Sequence, residues 1–303
     1  MKIDNAQLAA FDAVLREGSF EAAARRLYVT PSAISQRIKQ LEERLGQVLL
    51  KRTTPCQATA AGKTLARFAE QLSLLEAEML GEVGVSGDLA SAHSSYLRVP
   101  IVINADSLDT WFLSVFDGVP AAMPISFDIR VEDQDHSAAM LRDGSVMAAV
   151  SASALPVQGC SVEALGIMRY LAVASPANVR QFFAEGVDAS SLDRAPMLTF
   201  NRKDELQARF IAQFIDDAVQ PPTHFIPSVT GFLEVARRSL GWGMMPELLL
   251  TDALAAETLV EIAPGHSLDV PLYWHRWRLV SPALETLSTV VRKAAAEALR
   301  PML

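Results

Sequence analysis

The stretch from Ser19 to Thr59 constrains the fold most strongly, because caps, a tight connection and helical periodicity all fall within it. Ser19 precedes a run of good helix formers that ends near Leu27, and a serine hydroxyl can cap such a helix. Thr30-Pro31 predict the start of a second helix, and we expect Gly46 to end it. Two short helices joined by a tight turn are typical of a helix-turn-helix.

The predicted second helix has two different faces. Its apolar stripe consists of Ile34, Ile38, Leu41 and Leu45. Another side carries hydroxyl, amide and cationic groups, which are the groups that contact base edges and phosphates in a major groove. These candidate DNA-binding residues are Ser32, Ser35, Gln36 and Lys39, with Arg37 beside them. An ordinary amphipathic helix with a solvated polar side is the alternative, but cap, turn, stripe and polar face together favour DNA binding.

Residues 49–58 predict two short strands around a turn that contains Pro55. Lys51, Arg52 and Thr53 fall in this segment, where they could approach DNA phosphates. Basic loop residues are often only solvated, so it is the neighbouring helix that favours phosphate contact here.

Residues 1 to about 90 resemble the DNA-binding end of the LysR-type transcriptional regulators. The motif consists of Phe20-Glu21-Ala22-Ala23-Ala24, Leu27, Thr30-Pro31-Ser32-Ala33-Ile34-Ser35, Ile38, Leu41-Glu42, Gly46, Leu49-Leu50, Arg52 and Thr59-Ala60-Ala61-Gly62. The resemblance implies a winged helix-turn-helix over residues 1–58 and a homodimer or homotetramer. It also implies double-stranded operator DNA as a partner, with RNA polymerase as a further one.

The uneven charge of the chain supports this division. The net charge of −8 argues against a protein that coats nucleic acid generally. Between Arg25 and Arg52, however, the sequence contains 7 basic and 2 acidic residues, whereas residues 91–303 contain 16 basic and 24 acidic ones.

Cys56 and Cys160 imply no disulfide framework. Without a signal-peptide pattern or an apolar run near the roughly 20 residues of a membrane span, we expect a soluble, cytoplasmic protein.

A long helix is predicted from Thr59 to about Val83. Its apolar residues alternate at spacings of three and four, as in a short coiled-coil seam: Leu65, Phe68, Leu72, Leu75 and Met79. Such a narrow stripe needs a partner helix, and the family resemblance implies pairing between two subunits. Packing against the same chain is the alternative. The small and polar residues 84–95 predict a hinge, so we assign residues 59–95 to the linker.

From residue 96 onward, short apolar runs alternate with helical patterns, which predicts a parallel sheet with helices on both faces. The number of units requires two α/β lobes. The LysR-type resemblance implies a periplasmic-binding-protein-like effector domain over residues 96–303. Lobe one would comprise about 96–165 and 268–303, and lobe two about 166–267, with two strands crossing between them. The whole chain is therefore expected to be mixed, with a mainly helical N-terminal domain before an α/β domain.

Candidate ligand residues follow the predicted strands of this α/β part, because ligands in open sheets bind beyond the carboxyl ends of strands. They are Asn104, Asp106, Ser107 and Thr110, then Glu132 and Asp133, then Phe200, Asp204 and Ser228. The acids at 106, 132 and 133 would complement an ammonium or guanidinium group. Such residues also commonly cap helices or face solvent, and their spacing alone leaves both readings open.

A further set of residues resembles the ArgP/LysG branch of the LysR-type family. It comprises Asn104-Ala105-Asp106-Ser107-Leu108, Thr110-Trp111, Val131-Glu132-Asp133, Ala148-Ala149-Val150, Leu165-Gly166 and Tyr273-Trp274-His275-Arg276. Members of that branch sense lysine and arginine and control genes of basic amino-acid export and metabolism. The resemblance thus implies L-lysine or L-arginine as a small-molecule effector, with no cofactor.

Other functional classes find less support in the sequence. It contains no nucleophile elbow, HExxH, P-loop or dinucleotide-binding fingerprint, so we expect no enzyme. The five histidines show no metal-binding spacing, so we expect no metal. Two alternatives remain: a nucleoid or replication-control protein that binds DNA without a small-molecule response, and a LysR-type regulator with a different effector. The acidic strand ends favour a ligand-responsive regulator.

Overall fold

The structure is a computed structural model that describes residues 3–83, 97–121, 123, 125–132, 134–215 and 219–302. The predicted hinge at residues 84–95 lies outside the described residues. Within them, no helix has both the length and the apolar character needed to cross a membrane.

The N-terminal part folds as a helix-turn-helix with a two-stranded wing, as predicted. Its elements are α1 (Asn5–Glu17), α2 (Phe20–Arg26), α3 (Pro31–Leu45), β1 (Leu50–Lys51), β2 (Gln57–Ala58) and α4 (Ala60–Glu82). Ser19 and Thr30 cap α2 and α3, since each hydroxyl accepts a hydrogen bond from a backbone N–H of the first turn. Gly46 ends α3 in the left-handed conformation, with φ of 66°.

The core of this part is built from the apolar faces of the helices. Ile34, Ile38 and Leu41 of α3 are buried against Phe11 of α1. Because these residues face inward, the polar residues of α3 between them are turned toward the opposite side.

Helix α4 packs against its own chain and leaves part of its apolar stripe exposed. Leu65 is buried in the N-terminal core, and Leu74 is buried in the core of the C-terminal domain. Phe68, Leu75 and Met79 are 46%, 39% and 49% exposed. One side of α4 is therefore buried by its own chain. These three residues of the predicted subunit seam stay exposed to solvent.

The C-terminal domain is organised around a mixed sheet. Its strands are β3 (Leu97–Ile103), β4 (Ile125–Val131), β5 (Ala148–Ser151), β6 (Cys160–Ala174), β7 (Met197–Thr199), β8 (Thr223–Phe225), β9 (Gly243–Pro246), β10 (Val260–Glu261) and β11 (Ser267–Trp277). Among the described residues, seven of them form one sheet in the order β10-β6-β11-β5-β3-β4, with β9 also paired to β6. Strands β3, β4 and β5 are parallel, whereas β6 and β11 pair antiparallel with their neighbours. The prediction of a parallel sheet was therefore wrong for the strands around β6 and β11.

Two long strands run through both halves of the domain. β6 and β11 pair from Leu171–Ser267 to Cys160–Trp277, with a register shift at Leu272/Tyr273. Gly166 lies at this shift with φ of 150°, and a Cβ there would come within 2.8 Å of the backbone oxygen of Arg300. Residues 162–165 and 170–174 lie on either side of Gly166 in β6. They form one strand because glycine permits the irregular backbone between them.

The helices that cover this domain are mostly short. They are α5 (Ala105–Asp109), α6 (Leu113–Gly118), α7 (Gln134–Asp143), α8 (Pro176–Phe182), α9 (Ala189–Arg194), α10 (Leu206–Ile211), α11 (Val229–Arg237), α12 (Glu247–Ala255) and α13 (Pro282–Ala298). Helices α5 and α6 are separate, because Thr110 between them leaves the helical region with φ −117° and ψ −98°. Helices α5 and α10 begin beside one cavity.

Candidate ligand cleft and DNA-binding face

A cavity of about 410 Å³ lies where the carboxyl ends of β3 and β4 approach the start of α10 and α11. Five residues predicted from strand ends line it: Asn104, Asp106, Glu132, Phe200 and Asp204. They come from three separate stretches of the chain, which the fold brings to one cleft. The position agrees with the expectation that ligands bind beyond the carboxyl ends of strands.

Three other predicted ligand residues within the described part of the chain do not appear in the wall of this cavity. Ser107 is fully buried, and the hydroxyl of Thr110 donates to the backbone oxygen of Asp106 at 2.5 Å. Ser228 caps α11, where its hydroxyl accepts from the backbone N–H of Gly231 at 3.1 Å. These residues serve local structure, as residues at strand ends often do. Asp133 lies outside the described residues.

The cavity wall also contains residues that strand-end patterns did not indicate. Lys203 and Glu205 flank Asp204, and Arg209 follows on α10. Tyr170 lies inside an apolar run of β6, where the sequence shows a core strand and no functional signal. Helical spacing could have suggested Arg209, because it lies one turn after Glu205 on the same helix.

Asp106 occupies an unusual environment in the cleft. Its Oδ2 accepts a hydrogen bond from the Tyr170 hydroxyl at 2.7 Å. Burial raises the pKa of Asp106 to about 6, the Tyr170 hydrogen bond opposes this rise, and the charges of Asp204 and Asp109 add to it. Burial and Asp106 raise the pKa of Tyr170 well above its ordinary value, so the phenol stays protonated. A cation that enters the cleft would therefore stabilise the ionised form of Asp106.

Asp204 is held by backbone groups on the other side of the cleft. Its Oδ2 accepts from the N–H of Phe200 at 3.0 Å, and its Oδ1 accepts from the N–H of Leu206 at 3.1 Å. This carboxylate organises the loop before α10 and also contributes charge to the cavity. Together with Arg209, it shows that groups of both signs line the same wall.

Asn104 supplies a further polar group. Its Oδ1 is buried and has no hydrogen-bond partner among the described residues. Buried polar atoms are normally paired, so an acceptor left open beside a cavity is suited to an N–H donor of a ligand. The cleft can thus accept N–H groups at Asn104 and Asp106 while presenting cations from α10 and the loop before it.

The DNA-binding candidates on α3 lie on its outer side. Ser32, Gln36 and Lys39 are exposed, and Ser35 and Arg37 are half-buried. The hydroxyl of Ser32 contacts that of Thr30 at 2.9 Å, and Lys39 lies 3.6 Å from the Glu43 carboxylate. Both contacts are at the surface and leave the polar groups within reach of a groove.

The wing candidates follow α3 in the chain. Lys51, Arg52 and Thr53 are exposed. The Arg52 guanidinium lies 5.2 Å from the centre of the Phe20 ring, which orients it beside α2. The Thr53 hydroxyl donates to the backbone oxygen of Pro55 at 2.7 Å, so this residue shapes the turn.

Among the described residues, no group of three or more His, Cys, Asp and Glu could hold a metal ion.

Two family models match this chain. Residues 6–63 match the bacterial regulatory helix-turn-helix protein of the lysR family, and residues 122–296 match the LysR substrate binding domain. The first match covers α3 and the wing, and the second covers most of the cleft.

Individual proteins are similar over nearly the whole chain. The HTH-type transcriptional regulator LysG of Mycobacterium tuberculosis is 48% identical over 294 residues, which are 97% of this chain and 94% of that protein. The crystal structure of ArgP from Mycobacterium tuberculosis has a TM-score of 0.87 at 47% identity and covers 99% of this chain and 100% of its own.

Proteins of Corynebacterium glutamicum are similar too. The lysine export transcriptional regulatory protein LysG is 41% identical over 298 residues, 97% of this chain and 99% of that protein. The structure of full-length LysG with bound effector Arg has a TM-score of 0.76 at 39% identity, and covers 98% of this chain and 100% of its own. The chain therefore belongs to the LysR family of bacterial regulatory helix-turn-helix proteins, in the branch whose members are named LysG and ArgP.

Proposed function

We propose that this protein is a transcriptional regulator that binds L-lysine or L-arginine in the cleft and controls genes of basic amino-acid export or metabolism. The observation that carries the proposal is the charge pattern of the cavity wall. Asp106 follows β3 and Glu132 follows β4, whereas Lys203 lies before α10 and Arg209 lies within it. A basic amino acid carries ammonium or guanidinium groups for the first pair and a carboxylate for the second.

The relatives support the same ligand class. One C. glutamicum structure holds arginine as its effector, and the C. glutamicum relative is named for lysine export. Both amino acids combine a carboxylate with a terminal cation. A neutral amino acid would leave one buried acidic group of the cleft without a counterion, which costs free energy.

Ligand binding would act by favouring one arrangement of the two lobes. We assign lobe one to about 96–165 and 268–303 and lobe two to about 166–267, so that β6 and β11 connect them. A ligand held by Asp106 on one side and Arg209 on the other gains most when the cleft is closed. Only such a difference in affinity between two states can shift their populations.

Contacts between α4 and the effector domain provide a route from the cleft to the DNA-binding domain. The Glu78 carboxylate accepts hydrogen bonds from the Ser281 hydroxyl at 2.6 Å and the Ala283 N–H at 3.0 Å. Lys63 forms an ion pair with Asp143 at 3.0 Å. We therefore infer that movement of lobe one changes the position of α4.

On DNA, α3 would place Ser32, Ser35, Gln36 and Lys39 in the major groove, while Arg37, Lys51, Arg52 and Thr53 contact or position phosphates. We assign residues 1–58 to this domain and 59–95 to the linker. Two subunits would pair through the exposed side of α4 and bind two half-sites of a roughly palindromic operator. The protein would then act in the cytoplasm, where RNA polymerase is its further partner.

Isothermal titration calorimetry of the full-length protein tests the ligand. L-lysine and L-arginine are the candidates, and L-leucine and L-glutamate are matched controls that lack the terminal cation. Saturable binding of a basic amino acid alone supports the proposal. If neither basic amino acid binds to protein that still binds operator DNA, the effector belongs to another class.

The nucleoid-protein alternative makes a different prediction. Such a protein would bind DNA with little sequence preference and strong salt dependence. A large preference for one operator over random DNA at equal salt would exclude it.

A further inference from the structure

Tyr170 and Asp106 form a contact between elements far apart in the chain. Tyr170 belongs to β6, where it pairs with Leu268 of β11 and Pro246 of β9. Asp106 lies in the first turn of α5, after β3. The hydrogen bond between them spans 64 residues and joins a lobe-two segment to lobe one.

The chemistry of this contact is directional. The phenol of Tyr170 has one O–H, and it donates a hydrogen bond through it to Oδ2 of Asp106 while Asp106 is ionised. Tyr170 is only 3% exposed, so water cannot easily replace this partner. Loss of the hydrogen bond would leave a buried hydroxyl unsatisfied, which costs free energy. One carboxylate oxygen is thus occupied, and the side chain of Asp106 is fixed about its last torsion.

Both Tyr170 and Asp106 line the cavity. The charged and titratable groups that share this wall are Glu132, Lys203, Asp204, Glu205 and Arg209, and Asp109 lies on the same helix as Asp106. The negative neighbours Asp204 and Asp109 oppose ionisation of Asp106, whereas the Tyr170 hydroxyl favours it.

We propose that Tyr170 is a positioning residue of the ligand site, whose hydroxyl holds Oδ2 of Asp106 and turns Oδ1 toward the cationic group of the ligand. This inference rests on the proposed function, and it adds a residue and a role that strand-end patterns did not indicate. Because the hydrogen bond favours the ionised carboxylate, Tyr170 extends ligand binding to lower pH.

Removal of the hydroxyl has a specific expected consequence. In Tyr170→Phe the ring still fills its space, but the carboxylate loses its donor and ionises less readily. The terminal cation of lysine stays protonated from pH 6 to pH 8. We therefore expect the affinity for L-lysine to fall by roughly threefold at pH 8 and by roughly tenfold or more at pH 6.

The test is calorimetric titration of full-length wild type and Tyr170→Phe with L-lysine and L-arginine at pH 6 and pH 8. Tyr273→Phe is the matched control, because Tyr273 lies on β11 and is not among the described residues that line the cavity. This variant should bind as wild type at both pH values.

The outcomes separate the inference from the proposed function. A loss in Tyr170→Phe that grows toward pH 6 supports the positioning role. An equal loss at both pH values, or none, in a variant with wild-type thermal stability overturns that role and leaves the ligand assignment intact. If the wild type binds neither basic amino acid, both the ligand assignment and the role of Tyr170 are wrong.

Discussion

At the residue scale, Asp106 shows how a carboxyl group that we propose for ligand binding can reduce the stability of the protein without ligand. Its pKa rises from the ordinary value of 3.8 to about 6 because of burial, despite the hydrogen bond from Tyr170. An acid with a raised folded-state pKa binds its proton more tightly when folded. Stability therefore falls as the pH rises from about 4 to about 6, and the loss is complete above that range.

Asp106→Asn should consequently stabilise the empty protein at pH 7.5 while abolishing the ligand response. The pKa difference corresponds to about 3 kcal/mol at most. Partial opening of the carboxylate to the cleft reduces the expected gain in unfolding free energy to about 1 to 2 kcal/mol. Urea unfolding at pH 7.5 and pH 4 measures the effect, which should disappear at the lower pH. A variant that still responds fully to lysine and arginine would place the site elsewhere.

Gln36 and Arg52 should affect DNA binding differently, because an amide can discriminate bases while a cation mainly contacts phosphates. For Gln36→Ala we expect a loss of about 1 to 3 kcal/mol on the operator and little on random DNA. For Arg52→Ala we expect a similar loss on both. Fluorescence anisotropy at fixed salt measures the two affinities; equal losses for Gln36→Ala would remove it from base contact.

At the element scale, α4 is joined to both neighbouring domains by Glu70. The Glu70 carboxylate accepts hydrogen bonds from Arg16 of α1 at 2.9 Å and from Arg98 of β3 at 3.0 Å. Arg98 also pairs with Asp128 of β4. The strands that carry Arg98 and Asp128 end just before Asn104 and Glu132 of the cavity wall, so the same two strands contact the linker at one end and approach the cavity at the other.

Glu70→Gln should therefore weaken the attachment of α4 on both sides. The side chain is 13% exposed and loses two charged partners at once. Burial raises the pKa of Glu70, so relief of that desolvation offsets part of the loss, and we expect the free energy of unfolding to fall by about 1 kcal/mol. Glu297→Gln is the matched control, since Glu297 forms one exposed ion pair with Lys293 at 4.0 Å; it should change stability by less than about 0.5 kcal/mol. Similar small effects for both variants would show that the Glu70 contacts contribute little.

At the scale of the whole molecule, the exposed side of α4 is the surface that we propose as the subunit interface. Phe68, Leu75 and Met79 form a stripe along a helix that otherwise packs against its own chain. Leu65 and Leu72, which the heptad pattern assigned to the same seam, contact the N-terminal core instead. A second copy of α4 would cover the three exposed residues.

Leu75→Glu should shift the protein from dimer to monomer, because it places a charge in a seam that excludes water. The same change at Val280, which is 93% exposed and lies outside the stripe, is the control. Sedimentation velocity measures the association state, and operator affinity should fall with it as one half-site is lost. A Leu75→Glu protein that stays dimeric would assign the interface to another surface.

The helix-turn-helix was predictable from sequence, because its determinants are local. Caps at Ser19 and Thr30, a left-handed glycine at position 46 and a stripe at helical spacing all act within a few residues of one another. The mixed sheet was only partly predictable. Alternation identifies strands, but the direction in which β6 and β11 pair depends on which strands become neighbours, and no short window contains that information.

The sequence by itself determined the helix-turn-helix, the family and the carboxylates at the strand ends that became part of the cleft. Only the tertiary structure decided which of these share one cavity, that Ser107, Thr110 and Ser228 do not line it, and that Tyr170 meets Asp106. The physical reason is distance along the chain: periodicity and capping are properties of adjacent residues, whereas a contact across 64 positions depends on how β6 crosses between the lobes.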